Sequence, residues 1–77
     1  MKTYQITYAG KSQQFKGFSE TMMALNPVQA ILSALMLRGI IFDIKGDDIF
    51  DSSGVKVGEV LGNTIKHSSG TFTATEI

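Results

Sequence analysis

Leu25-Asn26-Pro27-Val28-Gln29-Ala30-Ile31-Leu32-Ser33-Ala34-Leu35-Met36-Leu37-Arg38-Gly39 is the stretch on which the fold turns. Asn26 carries a side-chain oxygen that can accept from the free N–H groups of a first helical turn, and Pro27 suits the first helical position, where a missing N–H costs nothing. Gln29 stands at the capping-box position three residues after Asn26, with Leu25 and Ala30 as a weak hydrophobic staple. From Val28 to Arg38 the chain is rich in the good helix formers Ala, Leu, Met and Gln, and Gly39 ends the run in the left-handed conformation. The spacing predicts a helix over residues 27–38.

That helix is apolar on too many sides for a single sheet. Val28, Ile31, Leu32 and Leu35 form one stripe and Ala30, Ala34 and Leu37 another, which leaves Gln29, Ser33 and Met36 as a narrow outward strip. A helix lying on one sheet keeps a broad polar face, so a second surface is needed: a curled sheet or another copy of the chain.

Upstream of the helix, Tyr4, Ile6 and Tyr8 alternate with Thr3, Gln5 and Thr7 at the period of a half-buried strand, and Ala9-Gly10 supplies a turn. A second extended segment starts near Ser12 and holds Phe15 and Phe18, whose change of phase across Gly17 suggests a bulge. Residues 3–18 read as a β-hairpin.

Downstream, short β-branched segments at Ile40–Ile44, Asp48–Asp51, Val55–Leu61, Thr64–His67 and Thr71–Thr75 are separated by Lys45-Gly46-Asp47, Ser52-Ser53-Gly54, Gly62-Asn63 and Ser68-Ser69-Gly70. Such punctuation implies an antiparallel meander over 40–75. The fold class is α+β, an N-terminal hairpin, one helix and a meander of three to five short strands, in a single domain spanning residues 1–77. The expected core is Tyr4, Ile6, Phe15, Val28, Ile31, Leu32, Leu35, Ile41, Phe50, Val57, Val60 and Ile65.

Composition narrows the function classes. The chain has 77 residues, seven Lys+Arg against seven Asp+Glu, and no cysteine, which excludes disulfides and thiolate metal sites. No apolar run reaches the length of a membrane span, and the N-terminal Met1–Gln5 lacks the apolar core of a signal peptide, so no membrane partner and a cytoplasmic location are expected. Residues 1–38 carry Lys2, Lys11, Lys16 and Arg38 against Glu20, a net +3, and residues 39–77 a net −3. The halves can attract within one fold or between copies.

No catalytic, cofactor or metal site emerges. Asp43, Asp47, Asp48 and Asp51 offer the oxygen ligands a hard cation wants, but their spacing is not that of an EF-hand, and aspartates serve turns equally well. His67 beside Ser68 and Ser69 has the residue types of a nucleophile and base without any spacing that brings them together as one. Phosphate-binding glycine loops are absent. Asp48-Ile49-Phe50-Asp51-Ser52-Ser53-Gly54-Val55-Lys56-Val57-Gly58-Glu59-Val60 resembles, over one hairpin, the small barrels of the PRC-barrel type; a polar, glycine-ended turn between alternating strands is common to many folds and implies no function.

By elimination, the expected function is a small non-enzymatic accessory or regulatory module, of the kind that includes inhibitors, which docks on an unidentified protein partner and self-associates as a homodimer. Met22, Met23, Leu25, Met36 and Leu37 are its candidate interface, with Thr71, Thr73 and Thr75 as a sheet edge available for strand pairing. The alternative is a nucleic-acid-binding module in which Tyr4, Tyr8, Phe15 and Phe18 stack bases while Lys11 and Lys16 meet phosphates.

Overall fold

The computed structural model describes residues 1–77 as seven antiparallel strands and one helix: β1 (Lys2–Gly10), β2 (Ser19–Ala24), α1 (Pro27–Met36), β3 (Asp43–Lys45), β4 (Asp48–Phe50), β5 (Lys56–Leu61), β6 (Thr64–His67) and β7 (Gly70–Glu76). The strands form one sheet in the order β2-β1-β7-β6-β5-β4-β3. The domain is therefore mixed α/β and richer in strand than the sequence implies, because the N-terminal hairpin joins the meander through β1 and β7. Those two strands pair over seven residues, from Tyr4 opposite Glu76 to Gly10 opposite Gly70.

The helix begins and ends as its sequence dictates. Asn26 is extended and its Oδ1 accepts from the Gln29 N–H at 2.9 Å. At the other end the Ile40 N–H reaches back to the Leu35 carbonyl at 3.1 Å and the Gly39 N–H to that of Met36 at 3.0 Å. This pair of bonds is the Schellman arrangement, and it requires the left-handed backbone that Gly39 adopts (φ 77°). Regular helix thus stops at Met36, two residues before the expected end.

α1 packs against β2, β1, β7 and β6. Ala30, Ile31, Ala34 and Leu35 are buried against Tyr4, Ile6, Ile65, Phe72 and Ala74 from the sheet. Small alanines bring the helix backbone close to the strands, so the second apolar stripe is covered within one chain by Ala30 and Ala34, whereas Leu37 remains outside.

Three expectations are corrected. The second hairpin strand is Ser19–Ala24, not the segment around Phe15; residues 13–15 make a single 3₁₀ turn, and Phe15 and Phe18 leave the strand register to plug the core beneath it. The register shift lies instead in β4–β5, between Ile49 and Phe50. Its extra residue is Val57 on β5; in β4 Ile49 points into the core and Phe50 is half-buried, the reverse of the expected assignment, while Ile41 is exposed and Val28, Leu32, Val57 and Val60 pack at the core margin. Finally, Thr71, Thr73 and Thr75 are on a central strand with neighbours on both sides, so they offer no free edge; the edges are β2 and β3.

Candidate functional site

The proposed interface residues do not form one surface. Met22 lies opposite Tyr4 and packs against the core, whereas Met23, opposite Thr3, points to the face of the sheet away from the helix. Leu25 precedes α1, and Met36 and Leu37 lie at its far end, all three exposed.

What the structure does assemble is a run of apolar exposure between α1 and β3. Met36, Leu37, Ile41 and Ile44 are 59, 70, 59 and 43% exposed, four large apolar side chains within nine residues. Its cause is local. The Schellman turn draws Ile40 inward to close over Leu35, and Ile40 and Phe42 pack on the core, so Ile41 between them faces outward; Ile44 shares their phase and the face of Ile49, and is exposed because it lies on the edge strand. Arg38, between them, lies 4.5 Å from the Phe18 ring centroid and 3.5 Å from Glu20, holding the turn onto the rest of the domain. β3, into which this run leads, is exposed at all three residues.

The aromatic residues of the nucleic-acid alternative are interior. Tyr4, Phe15 and Phe18 are buried, and Tyr8 is packed between Phe15 and Phe72 at ring-centroid distances of 5.3 and 4.9 Å. Lys11 and Lys16 are exposed but stand over no accessible ring. Two of the four aspartates, Asp51 and Asp48, have side-chain partners, and these are different ones. Asp51 Oδ1 accepts from the Ser53 N–H, the Ser53 hydroxyl and the Val55 N–H at 2.9, 2.6 and 3.0 Å, bonds that hold its carboxyl below the usual carboxylate range, that from the Ser53 side chain foremost. Asp48 lies 3.0 Å from Lys56, which also meets Glu59 at 3.0 Å; Glu59 and then Asp48 raise the Lys56 ammonium above its ordinary value. No three acidic or histidine side chains converge, and the surface contains no enclosing cleft.

One polar cluster does bring His67 and Ser69 together, and joins them to Tyr8 and Ser12. The Tyr8 hydroxyl donates to the Ser69 carbonyl at 2.7 Å, lies 3.1 Å from the Ser69 hydroxyl, and accepts from the Ser12 N–H at 3.1 Å. The Ser69 N–H donates to His67 Nδ1 at 3.1 Å, with the Ser69 hydroxyl 2.8 Å from the same nitrogen. A backbone donor on Nδ1 places the ring proton on Nε2 in neutral imidazole. Partial burial alone lowers the His67 pKa; its ring stacks on Phe42 and meets Phe15 and Phe72 edge-on. Glycine at 70 makes room for the phenol, since a Cβ there would lie 2.7 Å from the Tyr8 oxygen. Through these bonds the cluster ties the β6–β7 turn to β1. The sequence signals for it were His67 beside Ser69 and the half-polar Tyr8 at the end of an otherwise buried alternation.

Comparison with protein-family models, with curated proteins and with solved structures finds no match for the chain. No helix is long and apolar enough to cross a membrane.

Proposed function

We propose that this chain is a non-enzymatic protein-interaction module that docks through the surface running from the end of α1 to β3, and that its first partner is a second copy of itself. The observation that carries this is the exposure of Met36, Leu37, Ile41 and Ile44 in one short segment, the densest run among the exposed large apolar side chains of the chain. Apolar groups gathered on a surface gain from being covered, and a 77-residue core has little stability to spare for leaving them wet. The same segment supplies a free backbone edge, so a partner can be held by hydrogen bonds as well as by burial.

Sedimentation equilibrium over a concentration series tests this. The expected mass rises from 8.3 kDa toward twice that value, and Leu37→Glu and Ile41→Glu, both at exposed positions that do not support the monomer fold, return it to the monomer. A mass that stays at 8.3 kDa at high micromolar concentration removes the homodimer. A dimer indifferent to both substitutions removes this surface.

A further inference from the structure

We infer that two copies join edge to edge, β3 against β3 in antiparallel orientation about a two-fold axis at Ile44, to make one fourteen-stranded sheet. This rests on the docking surface proposed above and specifies its geometry. β3 is Asp43-Ile44-Lys45. Read antiparallel to itself about its central residue, it sets Asp43 of each copy opposite Lys45 of the other, two opposite-charge pairs, with Ile44 opposite Ile44. The short edge strand is thus complementary to itself in both charge and shape.

The backbone agrees with this register. β3 and β4 are joined by the two-residue turn Gly46-Asp47, in which Gly46 has φ 62° and Asp47 a negative φ, the pattern of a II′ hairpin. In such a hairpin the flanking pair, Lys45 and Asp48, is hydrogen-bonded, and antiparallel ladders alternate, so the next pair, Ile44 and Ile49, is not. Ile44 therefore turns its N–H and its carbonyl away from β4, and no bond outside the ladder engages either group. Two copies centred on Ile44 exchange those two bonds reciprocally, which is what an isologous antiparallel contact requires.

Side chains continue the pattern across the axis. On the helix-side face Ile49 and Ile44 of one copy meet Ile44 and Ile49 of the other in one apolar row. The opposite face runs Glu59, Asp48, Lys45 and then Asp43 of the second copy, adding a carboxylate on the free side of Lys45. The other edge, β2, exposes Met23 but has no pair of opposite charges to set against a second copy: its one charge, Glu20, faces Arg38 of the same chain at 3.5 Å.

Charge exchange tests the register directly. Asp43→Lys alone and Lys45→Asp alone each set like charges opposite one another twice, and each is expected to raise the dimer dissociation constant about tenfold. An equimolar mixture of the two variants restores association as a heterodimer, because every opposed pair is then complementary. As a second readout, the chain has no cysteine, so Ile44→Cys can be treated with a short thiol cross-linker and should link to itself. Ser19→Cys, on the far edge strand, should not. If Lys45→Asp loosens its own hairpin by facing Asp48, the cross-link decides. A dimer that persists in both single variants, or equal cross-linking at positions 44 and 19, overturns the β3 pairing and leaves self-association standing. A wild-type chain that is monomeric throughout overturns both.

Discussion

The two ends of the sheet are built on different terms. At one end β1 and β7 run nine and seven residues, pair with each other along most of that length, and are covered by α1. At the other end β3 and β4 are three residues each, and of their six residues only Ile49 is fully buried. Stability is thus concentrated where helix and strands enclose Phe72, Ile6 and Leu35, while the β3 end, which contributes little to the core, retains free backbone groups and exposed apolar side chains. On the proposed reading, the domain holds itself together through strands inside the sheet and meets a partner at the β3 edge.

Substitutions at the two ends should differ most. Phe72→Ala removes a fully buried ring that contacts Tyr8, Phe15 and Phe18, and is expected to cost about 3–5 kcal/mol in urea unfolding, enough to unfold a marginal domain. Ile44→Ala, measured at concentrations where the chain is monomeric, should change stability by no more than about 0.5 kcal/mol. Comparable losses at the two positions would erase the distinction. Next in size, Asn26→Ala frees the Gln29 N–H at the start of α1 and should cost about 1 kcal/mol by the same measurement, while leaving dimer affinity unchanged.

A smaller effect lies in pH. The His67 pKa is lowered on folding below its ordinary 6.5, so the unfolded chain binds the proton first as pH falls. The contribution is complete above the unfolded value and is lost as pH drops through the lowered folded one. Protonation also converts Nδ1 from acceptor to donor and sets it against the Ser69 N–H. Between about pH 5 and 7 the thermal midpoint of the wild-type chain should decline, and His67→Asn, which keeps an acceptor but no titration, should flatten that decline. Parallel curves would show that this turn bears no part of the pH dependence. Smallest of all, Lys56→Gln removes the exposed contacts to Asp48 and Glu59 and should leave the midpoint at ordinary salt where it was.

The elements that announce themselves locally were legible in the sequence. Asn26-Pro27 and Gly39 mark the helix because capping, a fixed φ and a left-handed residue are properties of a few neighbouring atoms, and Thr64–His67 was bounded correctly by its turns. What escaped depends on partners distant in the chain. The pairing of β1 with β7 joins residues sixty or more positions apart, and nothing in Thr71–Thr75 distinguishes a central strand from an edge. Phe15 and Phe18 show the right burial on the wrong element, because a loop can deliver a ring to the core as well as a strand can. Ile49 and Phe50 are adjacent and both apolar, so alternation within the three residues of β4 does not by itself say which points inward; that choice is made by its partners in β3 and β5. Of the residues proposed for docking, Leu37 was named from the second apolar stripe of the helix and Met36 from its outward strip. Ile41 was assigned to the core because only the Schellman turn reveals that Ile40 takes the inward position.

Amide hydrogen exchange at low and high protein concentration measures both ends of the sheet in one experiment. Amides of β1, β7 and α1 should exchange only through global unfolding of the domain, with the strongest protection in the chain even when it is monomeric. The Ile44 amide should exchange freely in the monomer and become protected as the dimer fills, while the Asp43 and Lys45 amides, facing β4, change far less. An Ile44 amide that stays unprotected in a sample shown by mass to be dimeric, or protection in β3 and β4 that equals that of β1 and β7 in the monomer, would contradict the division between a stabilising end and a docking end.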